Sequence, residues 1–301
     1  MRSHPTSAGR LCVRGWQVGD LVTSARQLTQ PLVRRDGQLV PCSYSDALAA
    51  AAGFLGEARG GKIPTWLLGA AHLTNEDAFA ATCFAADVMG TPYRGCPARA
   101  VDDAAICRLQ QILRTPYLHP PLGSLAERDV ILVLHSSLDT QHPQANAWTL
   151  EAQTNGAKII VLDEVRGDLA RVADVYAQLA PDGLQDALTA LVRGARGQTD
   201  VSDEGALNEA LELLVGAERP AIVASAAALP APSVAALAGT LAAALVGDDD
   251  AANAVFLMRS ESNSLGTAVM GLTPEGDAET NLHRLLGDDR SLAATVIVDE
   301  D

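Results

Sequence analysis

The feature that most constrains the fold of this chain is the alternation of short apolar runs with longer helical stretches. The apolar runs consist almost wholly of Val, Ile, Leu and Ala, and the run from Val130 to Leu134 is typical. Runs that are apolar on both faces indicate a parallel sheet covered by helices on both sides. We therefore predict an α/β fold with parallel sheets covered by helices, of the Rossmann-like kind.

The pattern assigns most of the chain to strands and helices. The predicted strands cover residues 66–68, 130–134, 158–163, 175–179, 220–224, 254–258 and 294–298. The predicted helices cover residues 46–59, 75–89, 101–113, 142–154, 184–194, 206–215, 233–246 and 279–286. Ser45 is the predicted N-cap of the first helix, and the Gly60-Gly61 pair is its predicted end.

Turn signals divide the chain into three predicted regions. Residues 1–45 contain Gly, Pro and charged residues with only brief apolar pieces, and we predict an irregular N-terminal segment there. The polar stretch at residues 197–205 is either an interdomain linker or a loop at a crossover. We place a first α/β region at residues 46–200 and a second at residues 201–301.

Charge and hydropathy exclude several classes of partner. The chain has 22 basic and 37 acidic residues, which is the opposite of what a nucleic acid or an anionic membrane attracts. We expect no transmembrane segment, because the longest apolar stretch, residues 234–246, is shorter than the ~20 residues that span a bilayer. The start lacks a signal core and the cysteine count is odd, so we expect a reducing, cytoplasmic location.

Local motifs for phosphate, metal or nucleophilic chemistry are weak. Gly56 and Gly61-Lys62 have the spacing of a phosphate-binding loop, but Ile63 stands where that loop needs Ser or Thr. The cysteines and histidines contain no pair at metal-ligand spacing. His135 and His142 flank a loop after an apolar strand, where α/β proteins place ligands, although capping of the loop is the favoured interpretation.

A series of short segments, in their order along the chain, resembles the molybdopterin oxidoreductase family. This family includes the catalytic subunits of formate dehydrogenases and the large iron-sulfur subunit of NADH:quinone dehydrogenase. The segments are Leu11-Cys12-Val13-Arg14-Gly15-Trp16, Thr74-Asn75-Glu76-Asp77, Arg128 to Val133, Asn155 to Asp163, Asn263-Ser264-Leu265-Gly266 and Met270-Gly271 with Pro274. The resemblance extends over almost the whole chain and implies the same α/β fold.

The resemblance implies roles for three residues. A cysteine at the position of Cys12 is the last of four ligands to an iron-sulfur cluster, and a basic residue at the position of Arg14 lies between cluster and pterin. The metal-ligating cysteine or selenocysteine of formate dehydrogenases falls near Cys107. We carry Cys12, Arg14 and Cys107 over as cofactor-binding candidates and predict no catalytic residue.

The departures from the family pattern weaken these roles. Residues 1–11 contain no cysteine, whereas a four-iron cluster (4Fe-4S) takes four ligands, so residues 1–45 resemble a remnant of the iron-sulfur region. Arg108 follows Cys107 where relatives have His, and the surrounding apolar pattern favours a place for Cys107 in a helix core. The chain ends roughly where a full-length relative begins the second half of its pterin cradle, so it resembles a member truncated at both ends.

These observations lead to three functional hypotheses. The first is a non-catalytic structural and interaction subunit of a multisubunit redox complex, derived from a formate dehydrogenase-like enzyme, which binds no cofactor alone and contacts other protein subunits. The alternative is one part of a split molybdenum- or tungsten-dependent oxidoreductase, of the formate dehydrogenase or formylmethanofuran dehydrogenase type, in which molybdopterin and the 4Fe-4S cluster require partner chains. A B-type subunit of formyl-transferring complexes is a variant of it. The third is a binder of an acidic or nucleotide ligand around Ser136 and Glu164.

Overall fold

The computed structural model describes residues 7–61, 64–115, 120–135, 137–198, 205–229, 231–273 and 294–299. The strands are β1 (Leu32–Arg35), β2 (Gln38–Pro41), β3 (Thr65–Gly69), β4 (Arg94–Gly95), β5 (Val130–Leu134), β6 (Lys158–Asp163), β7 (Val175–Gln178), β8 (Pro220–Ser225), β9 (Val255–Met258) and β10 (Ala294–Val298). The helices are α1 (Val13–Trp16), α2 (Val18–Val22), α3 (Tyr44–Gly60), α4 (Asn75–Cys83), α5 (Ala100–Leu113), α6 (Leu138–Gln141), α7 (Pro143–Thr154), α8 (Asp168–Val172), α9 (Leu184–Ala195), α10 (Ala206–Val215), α11 (Pro232–Val246), α12 (Ala251–Ala254) and α13 (Ser264–Val269).

The chain forms two compact units, and each contains residues from separate parts of the sequence. The first unit comprises residues 1–13 and 101–260, and the second comprises residues 14–100 and 261–301. Strands from both sides of residue 200 pair in one sheet of the first unit. The predicted division near residue 200 instead falls between α9 and α10, which belong to the same unit and contact each other.

The first unit has a five-stranded parallel sheet in the order β7-β6-β5-β8-β9. All five residues of the central strand β5 are buried. Val130, Leu132 and Leu134 face one apolar cluster, and Ile131 and Val133 face the other. Helices therefore cover both faces of the sheet, and the predicted α/β class is confirmed.

On the face of the sheet that contains Val130, Leu132 and Leu134, helix α11 packs closely against α5 because it has a glycine at the contact. A side chain at Gly239 would bring its Cβ to 3.2 Å from side-chain atoms of both Leu109 and Ile112 in α5. Helix α9 covers the same face with a stripe of four buried residues, Ala187, Leu188, Leu191 and Val192. This stripe has the three- and four-residue spacing that the sequence pattern predicted.

The second unit contains a three-stranded parallel sheet in the order β10-β3-β4 and the antiparallel hairpin β1-β2. The prediction of an irregular segment at residues 1–45 is wrong for its later part. Asp36 and Gly37 have φ values of 49° and 81°, so the two residues form the tight turn that Asp-Gly sequences favour between antiparallel strands. This turn connects β1 to its antiparallel partner β2.

Two helix boundaries also differ from the prediction. Ser43, not Ser45, caps α3, because the Ser43 side chain accepts a hydrogen bond from the backbone N of Asp46. The predicted helix at residues 75–89 begins with Thr74 as N-cap but changes at residue 84 to a π-helical segment, Phe84–Met89, which ends at Gly90 with a φ of 64°. The predicted helix at residues 279–286 lies outside the described residues. Within the described part of the chain, no helix is long and apolar enough to cross a membrane.

Candidate functional site

In the first unit, a histidine and an aspartate lie at the carboxyl edge of the sheet. His135 directly follows β5, and Asp163 is the last residue of β6. His135 Nδ1 is 3.4 Å from Asp163 Oδ1, and the same oxygen accepts a hydrogen bond from the backbone N of Val165 at 3.1 Å. The strand order changes direction at β5, and ligands of open α/β sheets bind beside such a strand. The His135–Asp163 contact joins two strand-end loops, as the loop-capping interpretation expects.

The other residues predicted at this edge hold loops. The backbone carbonyl of His142 accepts a hydrogen bond from the backbone N of Asn146 at the start of α7. Glu164 Oε1 accepts one from the backbone N of Asp182 at 3.1 Å. Ser136 lies outside the described residues. The structure therefore gives Glu164 a partner within the chain, which leaves this carboxylate less suited to bind a ligand.

Helix α7 has the chemistry to meet a polar ligand or a polar protein surface. Gln144 Oε1, Asn146 Oδ1 and Trp148 Nε1 are buried atoms for which the described residues offer no hydrogen-bond partner. Arg10 pairs with Glu151 of the same helix, and its guanidinium carbon lies 3.4 Å from the centre of the Trp148 ring. Buried polar atoms in native proteins nearly always have a partner. Water, a ligand, a partner chain or a residue outside the described ranges can supply the missing partner of these three atoms.

In the second unit, two of the family-like segments meet after the carboxyl end of β3. Asn263 Nδ2 donates to the carbonyl of Leu73 at 2.7 Å and to Asn75 Oδ1 at 3.0 Å. The backbone N of Asn263 also donates to the carbonyl of Ala71. The segment beginning at Thr74 and the segment beginning at Asn263 are therefore parts of one local structure. We call Leu73, Asn75, Asn263 and Gly266 the asparagine cluster.

Gly266 is required by the packing of the asparagine cluster. A Cβ at this position would overlap Oδ1 of Asn75 and Oδ1 of Asn263. We expect Gly266→Ala to lower the free energy of unfolding by about 1–3 kcal/mol, because the two amides must rotate away from their hydrogen bonds. Urea denaturation of the full chain measures this loss. Gly53→Ala is the matched control, since no atom lies within 4 Å of its Cβ; an equal loss in both variants would contradict the prediction.

Two fully buried charged residues were not predicted. Arg99 Nη1 donates to Thr267 Oγ1 at 2.9 Å in the second unit. In the first unit, Asp102 accepts hydrogen bonds from the backbone N of Ser260 at 2.9 Å and from Ser260 Oγ at 2.8 Å. Each partner is more than 150 positions away in the sequence. No local pattern marks Arg99 or Asp102, because only the tertiary structure brings their partners near.

The three predicted cofactor-binding residues occupy different places. Cys12 is half-buried before α1 in the first unit, and Arg14 is an exposed residue of α1 in the second. Cys107 lies on α5 and is exposed, so the expectation of a helix-core position is wrong. Ile106 and Leu109 form the buried stripe of α5, and Cys107 lies beside it. Partial desolvation and the Asp103 carboxylate raise the pKa of the Cys107 thiol, which favours its neutral form.

These donors do not fit an iron-sulfur cluster held by this chain alone. Such a cluster takes four ligands, usually thiolates. Among the residues that the structure describes, no three His, Cys, Asp or Glu side chains are grouped so that they could hold a metal ion. None of the five cysteines, all of which lie in the described ranges, forms a disulfide. We therefore derive no chemical step from a cluster or a pterin.

An apolar groove of about 640 Å³ lies within the second unit. It is lined by α3, the start of β3 and the π-helical segment, with Leu55, Phe84 and Met89 among its side chains. The lining residues with polar groups are Arg59, Thr65, Thr91 and Tyr93. The groove follows from the unusual exposure of α3, in which Ala58 is the one buried residue. Its lining suits an apolar group rather than a charged cofactor.

Comparison with known proteins gives relatives but no matching family profile. Subunit alpha of formate dehydrogenase 1 from Methanococcus maripaludis is 29% identical over 180 residues, which cover 60% of this chain and 26% of the relative. Formate dehydrogenase H of Escherichia coli is 28% identical over 183 residues, which cover 58% of this chain and 26% of the relative. The chain thus spans about a quarter of the length of these relatives.

A solved structure has the same fold over most of its length. The formyltransferase/hydrolase complex of Methylorubrum extorquens, solved with methylofuran, contains a chain that matches with a TM-score of 0.59 and 14% sequence identity. The match covers 90% of this chain and 82% of that one. Together with the relatives above, it confirms the resemblance that the ordered segments indicated. The chain is therefore similar in sequence to about a quarter of the length of formate dehydrogenases, which are molybdopterin oxidoreductases.

Proposed function

We propose that this chain is a non-catalytic structural and interaction subunit of a multisubunit complex. The observation that carries the proposal is the fold match with a chain of the formyltransferase/hydrolase complex, which extends over 82% of that chain. The match with formate dehydrogenases, in contrast, covers about a quarter of each relative. The described fold therefore supports comparison with a subunit of an assembly better than with a whole oxidoreductase.

The chemistry of the predicted site residues supports the same proposal. Cys107 is exposed on α5, and no two further His, Cys, Asp or Glu side chains are grouped with it within the described ranges. Cys12 has no second and third ligand grouped with it among the described residues. The buried polar groups instead hold the scaffold, as the Asp102–Ser260 and Arg99–Thr267 contacts illustrate.

Some of the comparisons support an assembly that handles one-carbon units, although nitrate reductases are also among the relatives. Formate dehydrogenases and a formyltransferase/hydrolase complex have names that refer to the same unit, as formate and as a formyl group. A redox complex, which the sequence led us to expect, remains the broader form of the proposal. We keep the cytoplasm as the proposed location, which five cysteines without a disulfide support.

Exchange of the two candidate ligand cysteines tests the proposal. We expect the complex purified through a tag on this chain to keep its subunit composition, activity, iron and molybdenum when it carries Cys12→Ser or Cys107→Ser. The reason is that neither sulfur belongs to a group of metal ligands in the part of the chain that the structure describes. Elemental analysis by mass spectrometry, with subunit stoichiometry, gives the readout. Cys42→Ser is the matched control, because Cys42 is half-buried like Cys12 but outside the candidate set. Loss of either metal in a candidate variant, but not in the control, would reject the proposal, as would purification of the chain without partners.

A second candidate, a part of a split molybdenum or tungsten oxidoreductase, is favoured by helix α7. The unpartnered atoms of Gln144, Asn146 and Trp148 could contact a polar cofactor that other chains also hold. On this hypothesis, molybdopterin and a 4Fe-4S cluster would be bound only in the assembled complex. The experiment above separates the two candidates, because only the split enzyme loses metal when Cys12 or Cys107 is changed.

A further inference from the structure

Residues 14–43 of the second unit expose large apolar side chains. We call this segment the N-terminal surface. Trp16, Leu21 and Leu28 are 72%, 72% and 77% exposed, and Val18 and Val22 are also exposed. The helices α1 and α2 contain no buried residue. The segment therefore has little apolar contact with the rest of the unit that the structure describes.

Such a segment needs a covering surface in order to keep its structure. Helices of four and five residues are unstable in water on their own, because nucleation is unfavourable and few hydrogen bonds follow it. The segment also contains Trp, Leu and Val, in contrast to the composition of disordered chains. A group of exposed apolar residues of this kind marks an interaction site.

The charge of the N-terminal surface differs from that of the whole chain. Residues 14–43 contain four arginines and two aspartates, whereas the chain as a whole has a net charge of −15. Arg26, Arg34 and Arg35 are exposed. A basic, apolar surface on an acidic protein is complementary to an acidic surface with apolar centres. Exposed Trp and Arg are also the residue types that contribute most to protein interfaces.

We propose that the N-terminal surface docks on an acidic face of a different protein subunit. A symmetric contact with a second copy would place these arginines opposite one another, which costs binding energy. A head-to-tail contact with the acidic remainder of a second copy would generate a ring or a filament of identical chains, not a contact with a different subunit. The inference rests on the proposed function and adds to it the surface and the class of partner.

Photo-crosslinking in the full chain identifies what covers the surface. A benzophenone amino acid replaces Trp16, Leu21 or Leu28 in the tagged chain in its native host, and adducts are mapped by mass spectrometry. Val172 and Val215, which are 50% and 58% exposed in the first unit, are the control positions. We expect adducts from the three test positions to acidic segments of another polypeptide, and none to these segments from the controls. Adducts confined to this polypeptide, or to a basic segment, would overturn the proposal, and so would no adduct.

Charge reversal tests the electrostatic part with the crosslinked subunit as the probe. We expect the triple variant Arg26→Glu, Arg34→Glu and Arg35→Glu to raise the dissociation constant at least about tenfold at about 50 mM salt, and less at about 500 mM salt. The control variant reverses Arg171, Arg193 and Arg196, which are exposed in the first unit, and should bind like the wild type. Circular dichroism verifies that both variants fold.

Different experimental outcomes would refute the docking surface and the proposed structural role. If the purified complex contains partner subunits but the triple variant binds them like the wild type at low salt, the docking surface is refuted and the structural role stands. If the chain purifies without other subunits, the structural role itself fails.

Discussion

Replacement of Asp102 by alanine should lower the free energy of unfolding by about 2–4 kcal/mol. The Asp102 carboxylate is fully buried in α5 and accepts hydrogen bonds from the backbone N and the Oγ of Ser260. Alanine removes both acceptors, so α5 loses the two hydrogen bonds that join its buried position 102 to the exposed Ser260. The segment after β9 then loses its attachment to α5. Urea denaturation of the full chain, followed by circular dichroism, measures the change.

Two further variants define the cause of this loss. Asp102→Asn keeps one acceptor oxygen at the same place, so we expect it to lose less stability than Asp102→Ala. Asp186→Ala removes an exposed carboxylate from α9 of the same unit and should change the free energy of unfolding by less than about 0.5 kcal/mol. Equal stability of the alanine variants at positions 102 and 186 would mean that the Ser260 contacts contribute nothing.

The sequence predicts the sheet of the first unit well because its central strands are apolar on both faces. The predicted strand at residues 158–163 and the predicted helix at residues 206–215 have the bounds that the structure gives. Apolar periodicity depends on the burial of each residue and hardly on which partner buries it. The apolar period can therefore be read from the sequence without knowledge of the tertiary structure.

In the second unit the pattern predicts α3, β3 and β10, but it misses elements that are very short or irregular. The strand β4 has two residues and joins the sheet only through β3, so no period can be read from it. The change from α-helix to π-helix at residue 84 leaves no mark in the apolar spacing. The hairpin β1-β2 was predictable, since Asp36-Gly37 between two short runs is a turn signal, but the prediction gave its charged residues more weight.

The candidate site shows a similar division. The order of the family-like segments indicated which proteins this chain resembles, but it did not predict that Asn75 and Asn263 are in contact. The two residues lie far apart in the sequence, and only the tertiary structure brings them together. The expected core position of Cys107 failed because the apolar stripe of α5 is narrow: Ala105, Ile106 and Leu109 are buried, and Cys107 lies just outside. Successive residues of a helix are rotated by about 100° around its axis. An apolar stripe inferred from four residues therefore does not determine whether a residue at its edge is buried.

Replacement of Arg99 by alanine should be at least as damaging, with an expected loss of about 3–5 kcal/mol. Arg99 is the largest of the fully buried side chains, and its guanidinium donates to Thr267 Oγ1 at 2.9 Å. Thr267 also contacts the carbonyls of Asn263 and Ser264 at 3.2 Å, so Arg99 supports the turn that contains the asparagine cluster. Alanine leaves both a cavity and buried acceptors without a donor.

Substitution by lysine separates charge from geometry at this position. Arg99→Lys keeps the positive charge but replaces the planar, five-donor guanidinium with a compact ammonium, so we expect a clear loss that is smaller than that of Arg99→Ala. Arg59→Ala, at an exposed position of the same unit, should change stability by less than about 0.5 kcal/mol. Hydrogen exchange should show the largest loss of protection at residues 263–270, because that turn depends on the buried arginine. If residues 263–270 of the Arg99→Ala variant kept the protection of the wild type, Arg99 would not be the residue that stabilises the asparagine cluster.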